Sequence, residues 1–248
     1  MLKHLFFSSF LFFSSSLTAQ VFDHMLDLLK ESPYGFSMID LAITAEDVED
    51  FHSIDIQKEY YYQQFGEIEQ TENKIADFLS GIGTNERDLV ERISNRLAEM
   101  ANELVEVSGR ETAWIHLHAF IPTSFFDLSN WHIDGYYYSI TDPSELVYKF
   151  VYTLQGPSTL FYPLPKGKRK EVSKHLFDRN YMHTFCSTGS AIHSNINQGV
   201  VFLAGKKETA ALHSEPPIQE NRLFFSVVPC SKKQLEMLKN KIVKFYPK

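Results

Sequence analysis

Cysteine is nearly absent from this chain: Cys186 and Cys230 are the whole complement of 248 residues. Two thiols make neither a disulfide framework nor a zinc ligand set. A single bridge between them is open only in an oxidising compartment. Long apolar runs are missing as well. Beyond the first 20 or so residues no stretch approaches the roughly 20 apolar residues that a membrane span needs. Positive charge is in deficit, with 24 Lys and Arg against 31 Asp and Glu, a formal charge of −7. Nothing in that balance suggests the broad basic face that nucleic-acid binding asks for. The compact basic run Lys166-Gly167-Lys168-Arg169-Lys170 reads as a solvated loop. No internal repeat stands out.

What is present is a core-forming composition. Hydrophobic residues make up 44%, with 21 Phe and 12 Tyr. This is a globular rather than a disordered balance, long enough for one large or two small domains. Met1 to Gln20 has one early lysine, an apolar Leu5–Phe13 stretch broken by serines, and Ala19 as a tolerable cleavage position. It fits a secretory signal loosely and an ordinary N-terminal helix or lead equally well. Cytoplasmic and exported locations both stay open.

Val21 to Lys30 reads as a short amphipathic helix ended by Ser32-Pro33-Tyr34-Gly35. Phe36 to Ile43 has strand character, and Ala45 to Asp55 is acidic and exposed. Tyr60, Tyr61 and Tyr62 could line a surface or pack inside. Ile75 to Leu79 is a short helix stopped at Gly81-Ile82-Gly83. Thr84 then offers an N-cap to the clearest helix of the chain. Its Leu89, Ile93, Leu97, Met100 and Leu104 recur at helical spacing as far as Val107.

From there the period changes. Ala113 to Phe120 alternates as a strand, with His116 and His118 on one face. Leu146 to Thr153 is a second strand, followed by a Gln155-Gly156-Pro157 turn and a strand over Thr159 to Tyr162. Pro163 to Asn180 is a polar insertion with a short helix, and Tyr181 to Ala191 is weakly patterned. Strands follow over Gly199–Gly205, Ala210–His213 and Leu223–Val228. A basic helix over Ser231 to Phe245 ends the chain. Short strands with Gly and Pro turns indicate a double-sheet or closed β architecture rather than a parallel sheet. The expected fold is α+β. Residues 1–20 form a lead, 21–110 a helical part packing on the core, 111–230 the β core, and 231–248 a terminal helix.

The chemistry gathers in Trp131-His132-Ile133-Asp134-Gly135. His132 and Asp134 are two apart, so on a strand end both side chains leave one face. Two imidazoles and one carboxylate are the facial ligand set of non-haem Fe(II). His213, in Leu212-His213-Ser214, is the second imidazole, too distant to be local, so only a fold can bring it in. Arg222 follows on the last strand, and its planar fork matches a carboxylate bidentately. His116 and His118 are a competing pair, for which a structural or pocket-lining role is the simpler reading. Tyr136-Tyr137-Tyr138 is equally a substrate wall or a core segment.

The order His132-x-Asp134, a long gap, His213 and then Arg222 resembles the Fe(II)/2-oxoglutarate-dependent dioxygenases over roughly Trp131 to Pro229. The segments Gly156–Phe161 and His213–Ile218 look more narrowly like a bacterial family of uncharacterised proteins. The resemblance implies a double-stranded β-helix (jelly-roll, cupin-like) core with flanking N-terminal helices. It implies His132, Asp134 and His213 as Fe(II) ligands. Arg222 and Ser226 would receive the 2-oxoglutarate carboxylate, and Tyr148, Tyr152 and Lys149 are further candidate contacts. The implied reaction couples decarboxylation of 2-oxoglutarate to succinate and CO2 with C–H oxidation of a small-molecule or protein substrate. One departure matters: Phe224 stands where many such enzymes have a Ser or Thr two residues after the arginine. A cupin-like metal protein that uses no keto acid, and a non-catalytic β-sandwich binding module, are the alternatives.

Overall fold

The structure is a computed structural model that describes residues 26–66, 68–123, 127–134, 147–187, 189–205 and 209–245. The expectations for residues 1–20 and for Tyr136–Tyr138 lie outside these. A helix over 26–31 (α1) leads into β1 (Phe36–Asp40), α2 (Ala45–His52), β2 (Tyr60–Phe65), α3 (Thr71–Ile82) and α4 (Arg87–Val107). The β core follows as β3 (Thr112–Phe120), β4 (Asn130–His132), β5 (Val147–Gln155) and β6 (Leu160–Tyr162). Two helices, α5 (Lys166–Val172) and α6 (Arg179–Ser187), interrupt it. It resumes with β7 (Ile192–His193), β8 (Gln198–Ala204), β9 (Leu212–Glu215) and β10 (Arg222–Cys230), and α7 (Lys232–Phe245) comes last.

The strands divide into a six-stranded sheet ordered β1-β8-β5-β10-β3-β2 and a four-stranded sheet ordered β4-β9-β6-β7. Every pairing is antiparallel. From β3 to β10 the chain passes back and forth between the two sheets, which is the winding of a double-stranded β-helix. β1 and β2 come from the N-terminal part and extend the larger sheet at its two edges.

Period-two alternation sorts the side chains of the larger sheet. Ala113, Ile115, Leu117 and Ala119 of β3, Tyr148, Phe150 and Tyr152 of β5, and Leu223, Phe225 and Val227 of β10 point outward. They form one core with Ile75, Phe78 and Leu79 of α3 and Ile93, Leu97 and Leu104 of α4. The long helix therefore packs across the outside of the sheet, as its apolar stripe requires. The opposite faces of these strands look inward, toward the smaller sheet. There Phe36, Val151, Phe161, Val200, Phe202 and Ala211 make a second cluster.

Several elements differ from expectation. The acidic stretch after Ile43 is helix α2, started by a reciprocal capping box in which Thr44 and Asp47 bond each other's backbone N–H. Thr84 caps nothing; its backbone N–H donates to Asp55 Oδ2, and α4 begins three residues later behind Glu86. α3 starts four residues earlier than read, and Gly81 lies inside it. The weakly patterned stretch from Tyr181 carries most of α6. The basic run is α5, and Arg169 within it is buried. Its guanidinium donates to the carbonyls of Leu164, Thr209 and Pro33, pinning three loops together. Tyr148 and Tyr152 pack on the helix side of the sheet, and Tyr152 Oη donates to Ile196 O in the loop before β8, so neither reaches the inner site. Cys186 and Cys230 are both free and sit in separate core clusters.

Candidate functional site

The two histidines of the predicted triad meet because β4 and β9 are neighbours. His132 and His213 are directly paired across the two strands. Their rings lie 4.3 Å apart. Asp134, two residues beyond His132, turns its carboxylate to both, with Oδ1 3.7 Å from His132 Nε2 and Oδ2 3.7 Å from His213 Nε2. The three potential donor atoms lie within 4.8 Å of one another. Among the described residues no other cluster of this kind occurs.

The ring orientations favour a metal. His132 Nδ1 is 2.7 Å from Asn130 O, and His213 Nδ1 is 3.2 Å from Ala211 O. A carbonyl only accepts, so the proton of each neutral ring sits on Nδ1 and the Nε2 lone pair faces the shared space. This is the outer support that metal-binding histidines generally have. Burial holds His213 down to about 3, with His132 beside it acting in the same direction, so the ring is neutral at physiological pH. Burial alone would raise the Asp134 carboxyl. The Lys149 ammonium and the two imidazoles more than offset this and hold it well below the usual carboxylate range. Two imidazole nitrogens and one anionic oxygen, oriented and unblocked on one side, fit Fe(II) and leave room for further ligands.

Arg222 opens β10 in the same cavity, which has a volume of about 540 Å³, within the usual range of a small-molecule site. Arg222 is 1% exposed. Its Nε donates to Pro157 O at 2.8 Å and one terminal nitrogen to Thr159 Oγ1 at 3.0 Å. The rings of Phe120 and Phe224 flank it at 5.0 and 4.8 Å. Burial lowers it to about 10, which leaves it charged at neutral pH. No carboxylate of the described residues forms an ion pair with it. The charge of Glu215, in the same cavity wall, acts on it without ion-pair contact. A buried cation with no carboxylate in direct contact is costly, and an anionic ligand would relieve that cost.

The turn after β5 aims these groups. Gly156 has φ +80°, and a Cβ there would fall 2.2 Å from Asn221 O and 3.0 Å from Arg222 Cα. Only glycine lets the turn approach the start of β10 this closely. Thr159 was not expected. Its hydroxyl, just before β6, accepts a hydrogen bond from Arg222, while Phe224 stands two residues after Arg222 on β10. The signal lay in the Gly156-Pro157-Ser158-Thr159 turn, whose contact with Arg222 no local pattern reveals. Ser226 shares the inward face of β10 but lies behind the cavity wall. It is fully buried, and its Oγ has no hydrogen-bond partner.

His116 and His118 stand in the cavity wall, with Trp114 and Phe120 on the same face of β3. Tyr61 and Gln63 of β2 continue that wall. Tyr61 Oη is 3.4 Å from His116 Nδ1, and His118 Nε2 is 3.3 Å from Glu59 Oε1. Neither histidine joins the triad. Burial lowers both, with Lys149 acting the same way on His116.

No known family pattern and no curated protein matches the chain. Among solved structures it is similar to HygX from Streptomyces hygroscopicus, solved with nickel and 2-oxoglutarate bound. Identity is 12%, 84% of this chain and 87% of that chain are covered, and the TM-score is 0.46. It is also similar to a Pseudomonas putida prolyl-4-hydroxylase (13% identity, 84% and 98% covered, TM-score 0.40). A third is a Trichoplax adhaerens prolyl hydroxylase in complex with a hypoxia inducible factor peptide fragment (9% identity, 90% and 94% covered, TM-score 0.43). The fold itself is read from the strand order, which stands without these similarities.

Proposed function

We infer that the chain is an Fe(II)- and 2-oxoglutarate-dependent oxygenase acting on a C–H bond of a substrate still to be identified. One observation carries this reading: His132, Asp134 and His213 converge with both Nε2 atoms turned to the shared space, in the same cavity as a buried Arg222 that makes no direct ion pair with a described carboxylate. The three donors would hold the iron. Arg222, steadied by Pro157 O and Thr159 Oγ1, would take the far carboxylate of the keto acid, its fork matching that group in shape and charge. Phe120 and Phe224 desolvate this contact and strengthen it. When bound, iron with the keto acid and oxygen supplies the oxidising chemistry. The protein supplies orientation and excludes water.

Anaerobic addition of Fe(II) and 2-oxoglutarate should produce the weak visible charge-transfer band of a chelated keto acid. Its absence with stoichiometric metal present would sink the reading. Arg222→Leu separates it from a metal protein that uses no keto acid. The variant should keep its metal and lose 2-oxoglutarate affinity by on the order of 100-fold, the usual size for a buried charged contact.

A further inference from the structure

Asp134 has a partner that the chemistry above does not use. Lys149 Nζ lies 3.1 Å from Asp134 Oδ2, and both side chains are largely withdrawn from solvent, at 12% and 13% exposure. Lysine is seldom this buried without a counter-charge. The counter-charge here is one of the three triad donors, and the oxygen concerned is the one that faces His213. The ammonium therefore stands at the margin of the space the triad encloses. Alternation along β5 puts it there: Lys149 and Val151 look into the cavity, while Tyr148 and Phe150 pack under the helices. Lys149 Nζ is 5.9 Å from the ring centre of Phe224, whose other cationic neighbour is Arg222. One cavity thus holds two cations, both close to one phenyl ring. Arg222 pairs with no described carboxylate, and Lys149 pairs with Asp134.

An ammonium and a divalent cation compete for the same carboxylate, and at short range in a buried site their mutual repulsion is strong. We propose that Lys149 is an exchangeable counter-ion: it neutralises Asp134 in the metal-free protein, yields the carboxylate when metal enters, and then pairs with the metal-side carboxylate of the keto acid. The second half rests on the preceding functional reading; the first half does not. In that arrangement the far end of the keto acid lies on Arg222 and its near end on Lys149. A monocarboxylic keto acid would leave one of the two buried cations unpaired.

The test titrates Mn(II) alone into chelator-stripped wild type, Lys149→Met and Lys149→Arg by calorimetry. Then 2-oxoglutarate is titrated into each Mn(II)-loaded protein. Lys149→Met should bind Mn(II) about tenfold more tightly than wild type and 2-oxoglutarate about tenfold more weakly, in the range of single outer-sphere changes. Lys149→Arg should stay close to wild type in both. Circular dichroism checks each fold, and Lys149→Gln replaces the Met variant if that one does not fold. Equal or weaker Mn(II) binding by a folded Lys149→Met protein overturns the exchange. Tighter Mn(II) binding with unchanged 2-oxoglutarate affinity overturns the keto-acid contact. If wild type with Mn(II) does not bind 2-oxoglutarate at all, the functional reading fails while the exchange is still judged on the metal data.

Discussion

His213 shows how one residue ties chemistry to stability. Its folded value of about 3 lies below the ordinary 6.5 because a charged imidazole would be buried. Between these values the unfolded chain binds the extra proton, so stability rises with pH across that window. The contribution is complete above pH 6.5 and is lost as pH falls toward 3. At pH 5 the metal-free protein should be less stable than at pH 7 by about 2 kcal/mol from this residue alone. His116 is shifted in the same direction and adds to the loss. Urea unfolding in the presence of chelator checks this, and a flat profile over pH 5 to 7 would refute it. At this scale the triad was legible because residue type and order carry it. Thr159 was not, because its role depends on a contact between two strands that lie far apart in the sequence. The face on which Lys149 lies was likewise undecided by parity until the helices showed which side of β5 they cover.

Among the elements, α4 could be read from the sequence with almost the right ends, since an apolar residue every third or fourth position has one interpretation. α2 could not. It buries only Phe51, so it carries hardly any stripe, and its start is set by the Thr44–Asp47 cap. β2 begins with three consecutive tyrosines, which leaves alternation nothing to act on; its pairing with β3 decides its place. The β5–β6 turn makes the sharpest claim at this scale. Gly156→Ala should destabilise the protein by about 2–4 kcal/mol, combining left-handed backbone strain with a backbone clash. It should also weaken 2-oxoglutarate binding, because Asn221 and Arg222 are what the new methyl group meets. Denaturant unfolding reads the first effect and ligand titration the second.

For the molecule as a whole, the sheet architecture followed from short strands and turns, and the order of the strands did not. Antiparallel neighbours such as β5 and β10 or β3 and β10 are joined by contacts that sequence periodicity cannot specify. The same order would make metal binding a stability matter, since β4 and β9 pair through a short ladder that ends at the paired histidines. With Mn(II) at 100 times its dissociation constant, linkage gives about 2.7 kcal/mol, or a rise in Tm of about 5–10 °C for a chain of this size. Differential scanning calorimetry with and without metal tests it; an unchanged Tm at saturation would count against a native metal site.

β2 lies outside the eight strands of the winding, yet Tyr61 and Gln63 on it close one side of the cavity. The groups that would run the oxidation and these two wall residues therefore belong to separate parts of the framework. Substitutions on that marginal strand can retune which molecules are admitted while the reactive centre stays as it is, so the choice of substrate and the power to oxidise it are free to diverge.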